Sequence, residues 1–350
     1  MTPPPAATIS RMESAPLTVR KMNRGSALDR PLNDGILLVA WLVLSIIAST
    51  SYLGFSRDYF EYLFYYQTIP NHLSLQDTRF EPGFHLISWI FRNYLGVDLS
   101  ILIWTLVSFS LAVKILLFRK YLQYPILALL IYTLVFYPIH EYTQYRVAVS
   151  LAFGYWAIHL VMERKLRWAS LLFMLAFLFH YSSILILLIA IGSPFLRGRR
   201  AVTTIIIGLV LAATLIGPIR GVIGGFFNTL NPLSLSYLEN TAMIEGVSLW
   251  SVNNILLIGA IIWYAASGYY NRGQYHSLFM TMSIACLVPI ALLPDAPVIA
   301  QRSKEVLFVS VVFLSCRSKL ALFDVVGLIL LLGMAGLLAY LAVTGGIIFV

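Results

Sequence analysis

Residues 99–120 read LSILIWTLVSFSLAVKILLFRK, an apolar run that carries Lys114 and ends in Arg119 and Lys120. A bilayer crossing needs about 20 predominantly apolar residues, and this stretch supplies them. Comparable segments cover 35–53, 124–138, 145–162, 166–179, 182–195, 201–219, 250–268, 277–294, 299–316 and 320–343. The pattern predicts an all-α, polytopic integral membrane protein with about eleven transmembrane helices.

Composition agrees. Hydrophobic residues make up 59% of the 350 and charged residues 11%, and the mean hydropathy is +0.84. Soluble domains carry roughly 25% charge. A soluble enzyme, a coiled coil, a disordered chain and a nucleic-acid binder are all disfavoured. The net charge of +9 reflects topology before any acidic partner. Cys286 and Cys316 both lie inside apolar runs, so neither a structural disulfide nor a metal site is expected. No His-Glu-x-x-His pattern or carboxylate–histidine cluster points to a metal, and no cofactor is expected. Residues 1–34, which begin Met-Thr-Pro-Pro-Pro, read as a disordered basic cytoplasmic tail. The first apolar run starts at Ile36 and is long enough to span, which argues against a cleavable signal peptide. Residues 35–350 read as a single transmembrane domain.

Basic residues on the connectors set the orientation. The tail, Lys114/Arg119/Lys120, Arg164/Lys165/Arg167, Arg197/Arg199/Arg200, Arg272 and Arg317/Lys319 together hold 17 of the 24 Lys and Arg. Placing them in the cytoplasm gives a positive-inside topology with the N-terminus inside. Residues 54–98 then form one long outer loop, with Tyr59–Ile69 and Pro82–Leu95 as helices at the membrane surface. Tyr59, Phe60, Tyr62, Phe64, Tyr65 and Tyr66 read as an interfacial aromatic belt. Residues 220–249 form a second outer loop. The 15-residue segment 124–138 spans only about 22 Å. The run 166–195 is broken by His180-Tyr181-Ser182-Ser183, so a water-accessible hollow is expected at the outer face.

The outer face keeps Arg57, Arg79, Arg92, Arg146, Arg220, Arg302 and Lys304. The planar arginine fork suits phosphate and carboxylate oxygens. Arg146 and Arg302 both stand at helix starts, where the macrodipole disfavours a cation. Two such arginines on one face suggest a diphosphate site; the bland alternative is pairing with a nearby acid such as Glu141 or Glu305. Asp58, Glu61, Asp77, Glu81, Asp98 and Glu141 are the outer acids. Glu81 precedes Pro82 at a helix start, where it could equally serve as a cap. His180, at the break between two short helices, sits where a membrane protein places a proton-transfer group.

These residues resemble a known family. Arg57-Asp58-Tyr59 with Tyr62 follows the first span, then Glu81-Pro82-Gly83-Phe84. Gln144-Tyr145-Arg146 leads Ala148 and Ala152, Phe179-His180-Tyr181-Ser182-Ser183 comes after a basic turn, and Gln301-Arg302 lies near the end. The order is similar to that of the EpsG-like, Wzy-type exopolysaccharide and O-antigen repeat-unit polymerases, over roughly residues 35–316. Where that family commonly reads Arg-Gln, Val147 follows Arg146 here. The resemblance implies a GT-C-like arrangement with a long first outer loop. It also implies a glycosyltransferase that uses undecaprenyl-diphosphate-linked glycans as donor and acceptor, with membrane lipid around it and a chain-length regulator protein as a further partner. No nucleic acid is involved. The location implied is the bacterial inner membrane, with the active site facing the periplasm or exterior.

The candidate catalytic residues are Glu81, His180 and Asp58, one of which takes the proton of the attacking sugar hydroxyl. Arg146 and Arg302, with Arg220 in reserve, are candidates for the leaving diphosphate. Tyr62 and Tyr145 are candidates for stacking on sugar rings, and Gln144 for substrate contact. The alternatives are a monosaccharide transferase using a polyprenyl-phosphate sugar, and a transporter of polysaccharide or lipid-linked sugars. The chain shows neither the inverted repeat nor the paired midplane breaks of a transporter.

Overall fold

Fifteen uncharged, mostly apolar residues between Asp98 and Lys114 leave the backbone of α4, Leu99–Tyr121, no partner but itself, and it forms a 23-residue helix. In the computed structural model of the chain, the described residues are 29–50, 58–73, 80–192, 251–266, 274–292 and 297–315, with a few positions between 326 and 336. They are all-helical, and no strand occurs among them. In chain order, α1 is Asp29–Ser49, α2 Tyr59–Thr68 and α3 Pro82–Trp89, extended by a π-helical turn over Ile90–Tyr94. After α4 come α5 Pro125–Val135, α6 Tyr145–Met162 and α7 Leu166–Phe179, then a 3-10 turn Tyr181–Ser183 and α8 Ile184–Gly192. The remainder are α9 Val252–Ala266, α10 Gln274–Ala285, α11 Val288–Leu292, α12 Pro297–Phe308 and α13 Ser310–Ser315.

Among the described residues, three helices are long and apolar enough to cross a membrane: Pro31–Ser49, Leu99–Tyr121 and Tyr145–Met162. Shorter apolar helices of 10–17 residues include Pro125–Val135, Leu166–Phe179 and Tyr181–Gly192. The expected spans at 201–219 and, save for a few positions, 320–343 lie outside the described residues, as do residues 1–28 of the tail and loop 220–249. α1 takes in Asp29–Asp34, which the sequence reading places in the tail. It leaves Leu38, Val39 and Ile46 exposed. Such an apolar face suits lipid contact.

α6 is the centre of the bundle and packs on both α4 and α7. Its two ends differ in chemistry. Near Met162, Lys120 donates to Glu163 at 2.8 Å and to Nε2 of His159 at 2.7 Å, while Arg119 pairs with Asp34 at 2.6 Å. The opposite end holds α2, α3, the start of α6 and the turn at His180. The charge bookkeeping puts Arg119 and Lys120 on the face away from His180, and in the structure they lie at the end of the bundle away from it.

It misplaces Lys114 and Glu141, which it assigns to opposite faces. The structure joins them as a fully buried ion pair. The reason is the length of α5: its 11 residues rise about 16 Å, so the chain turns back inside the bundle. A coil over 136–144, held by bonds such as His140 N to Phe136 O at 2.8 Å, brings Glu141 onto α4. Lys114 also donates to Ser110 Oγ at 2.8 Å and Ala148 O at 3.2 Å, and the Tyr132 hydroxyl donates to Glu141 at 2.6 Å.

The aromatic belt needs a second correction. α2 has helical period, so Tyr59, Tyr62 and Tyr66 share a buried stripe while Phe60 and Phe64 are exposed. The stripe is core; the other face alone suits an interface. Neither α2 nor α3 approaches the length of a span, as expected for loop helices.

Candidate active site

The site is built by holding α2 and α3 together and laying α3 across the end of α7. The Tyr66 hydroxyl donates to Val97 O at 2.7 Å, Trp89 Nε1 donates to Asn71 O at 3.2 Å, and Arg92 donates to Tyr66 O. Arg92 therefore has a structural role in the loop. Pro82 occupies the first turn of α3, so Glu81 is left extended just outside it. The Glu81 carboxylate does not cap the helix. Gly83 sets the approach of α3: a Cβ there would come within 2.8 Å of the Leu178 carbonyl oxygen, against the last turn of α7. Only the missing side chain allows that contact.

α7 stops at Phe179, and the extended backbone of His180 turns its ring inward. Its Nδ1 lies 3.0 Å from Glu81 Oε1. The other carboxylate oxygen pairs with Arg146, on the first turn of α6. Arg146 Nε donates to the Tyr62 hydroxyl at 3.2 Å, and its guanidinium lies 4.3 Å from the Phe80 ring centroid. Tyr62 in turn packs on Phe80, Phe84 and Tyr145 with centroids 5.0–5.4 Å apart. Four separate elements thus converge on one carboxylate. Burial works to raise the Glu81 carboxyl, but Arg146, followed by His180, outweighs it and holds it down at about 2. As a carboxylate, Glu81 accepts from Nδ1–H, which leaves Nε2 of His180 as the lone-pair nitrogen. That nitrogen is buried without a hydrogen-bond partner among the described residues.

The other candidates divide. Asp58 stands at the N-terminus of α2 and acts electrostatically on Tyr62, one turn on. Arg302 is on the second turn of α12, past the helix start assigned to it, and its field reaches His180 and Glu305. Gln144 precedes α6 and neighbours Glu305. Lys304 is buried and donates to Asn254 Oδ1 at 2.8 Å. Tyr62 and Tyr145, the candidates for stacking on sugar rings, are both buried in the aromatic cluster. Arg146 pairs with Glu81 rather than with the nearer-in-sequence Glu141, which Lys114 occupies. Arg57 and Arg220 lie outside the described residues. No group of three or more potential metal ligands occurs among the described residues.

Phe80 and Gly83 are the residues the sequence reading missed as site builders. Their position within Phe80-Glu81-Pro82-Gly83 is the available signal. Gly83→Ala is expected to push α3 off α7 and lengthen the Glu81–His180 bond. Polymer formation in membranes should fall at least tenfold at unchanged protein level. Unaltered output from Gly83→Ala would show that this approach does not control the site.

A family model matches residues 36–344. The chain belongs to the EpsG family. No curated protein and no solved structure matches it. The match runs from within α1 through α13 and agrees with a membrane-embedded, all-helical protein of polysaccharide biosynthesis. Within this EpsG-family chain, the Glu81, Arg146 and His180 segments lie far apart in sequence yet meet at one end of the bundle.

Proposed function

We propose that this EpsG-family protein is a glycosyltransferase that polymerises undecaprenyl-diphosphate-linked oligosaccharide repeats into a surface polysaccharide. It works on the periplasmic or outer face of the bacterial inner membrane, with its N-terminus in the cytoplasm. The observation that carries the reading is the double engagement of Glu81, by Arg146 on one oxygen and His180 on the other.

The chemistry follows from that arrangement. Glu81 orients His180 and fixes its tautomer, so His180 Nε2 takes the proton from a sugar hydroxyl of the acceptor repeat. The hydroxyl oxygen bonds to the anomeric carbon of the donor chain. The bond from that carbon to the diphosphate breaks, and the electron pair leaves with the lipid diphosphate. Arg146 and Arg302 supply fixed positive charge for the departing anion. The proton on His180 then returns to solvent. Arg146 keeps N–H groups beyond those used by Glu81 and Tyr62. Asp58 lies one turn from Tyr62 and tunes the field rather than accepting the proton.

A deletion strain complemented with the gene distinguishes the outcomes on a polysaccharide gel. Polymerase activity gives a ladder. A single-band shift means a transferase that adds one sugar, and an unchanged lipid-linked pool on the wrong side of the membrane means a transporter.

A further inference from the structure

Six buried polar atoms that find no hydrogen-bond partner among the described residues lie on three elements linked to the His180 turn. They are both ring nitrogens of His140, Gln144 Oε1, His180 Nε2, Ser183 Oγ and Glu305 Oε2. Three elements bring them together. His140 and Gln144 belong to the coil before α6, and Gln144 N bonds His140 O at 3.0 Å. His180 and Ser183 form the turn after α7, where Ser183 N bonds His180 O at 3.1 Å. Glu305 is on α12, which packs against that turn. His140 and His180 lie within electrostatic reach of one another, as do Arg302 and both His180 and Glu305.

Buried polar atoms are nearly always satisfied, so such a concentration asks for a donor that the described residues do not supply. Glu305 already uses one oxygen for Gln301 Nε2, at 3.1 Å, and the other is left over. Turning the Gln144 amide would join it to Glu305, yet both His140 nitrogens, His180 Nε2 and Ser183 Oγ would still be orphaned.

The type of atom decides the ligand. Gln144 Oε1, the His180 lone pair and one His140 nitrogen only accept hydrogen bonds, as does Glu305 Oε2 when the carboxyl is ionised. A diphosphate also only accepts, so it belongs with the arginines and not here. A lipid chain offers nothing. A sugar ring offers several O–H donors, and one of them would face His180 Nε2.

We propose that Gln144, Ser183, Glu305 and His140 form a hydroxyl-binding subsite for the acceptor sugar, which presents its attacking O–H to His180. The assignment rests on the polymerase reading above and extends it to residues outside the proton and diphosphate chemistry.

The test uses the full-length protein in proteoliposomes, supplied with the lipid-diphosphate repeat unit extracted from the producing strain. Glu305→Gln keeps the shape of the side chain and converts an acceptor into a donor. Ser183→Ala removes a hydroxyl at little risk to folding. The subsite predicts that each raises the KM for the repeat unit about tenfold, the value of a lost hydrogen bond to a buried group, while kcat changes less than twofold. The thermal midpoint in detergent should match that of the unaltered protein. A KM equal to that of the unaltered protein overturns the proposal, because the orphaned atoms are then served by water alone. A fall in kcat at constant KM also overturns it, since that pattern belongs to a positioning role. If the unaltered protein itself extends no repeat unit, the polymerase reading fails first, and the two failures are told apart by that control.

Discussion

Arg146→Ala is expected to abolish long-chain polysaccharide while the protein stays in the membrane at its normal level. The guanidinium does two things at once: it holds Glu81 against His180 and presents further N–H groups to the leaving diphosphate. Losing one preorganised donor to a developing anion costs about 10²–10³ in rate, and the misplaced base adds to that. The variant also strands a buried carboxylate, which lowers its thermal midpoint. Arg146→Ala combined with Glu81→Gln removes the stranded charge. It should restore the thermal midpoint and remain inactive. Arg302→Ala should also lower polymer, since its field reaches His180 from a different helix. Full-length polymer from both Arg146→Ala and Arg302→Ala in a deletion strain would sink the diphosphate assignment.

The largest effect on stability is expected at a distance from that chemistry. Lys114→Met leaves Glu141 charged and unpaired inside the bundle, and Glu141→Gln does the same to Lys114. Breaking one partner of a buried pair costs about 3–5 kcal/mol, whereas replacing both is often neutral. Each single variant should therefore unfold at markedly lower temperature or denaturant concentration in detergent. The double variant Lys114→Met/Glu141→Leu should recover most of the loss. The network also ties Ala148 O, two residues beyond Arg146, to α4. The double variant is thus expected to fold yet polymerise less well. Additive losses in the single and double variants would show that the two charges do not act on each other.

How much of this was legible follows from the range of the forces. Apolar runs declared α4 and α6 directly, because a helix must satisfy its own backbone in lipid. Glu81, Arg146 and His180 were legible as polar residues too costly to keep without a purpose, and the structure brings these three together. Their roles were not legible, since nothing in the order of residues says that Glu81 faces both partners. The Lys114–Glu141 pair was misread because positive-inside bookkeeping treats every lysine near a helix end as a surface charge. Lys114 lies two turns short of the end of α4, and the short α5 folds its partner back onto it. Aromatic side chains look alike in sequence, so neither the burial of Tyr62 and Tyr145 nor the approach of Arg146 to the Phe80 ring was legible.

Reconstitution of the purified protein with a defined lipid-diphosphate repeat, followed by sizing of the glycan it makes, bears most directly on the whole account. A ladder of products extended by whole repeats, lost in His180→Gln, is the expected result. Products longer by a single sugar, or elongation that persists in His180→Gln, would contradict it.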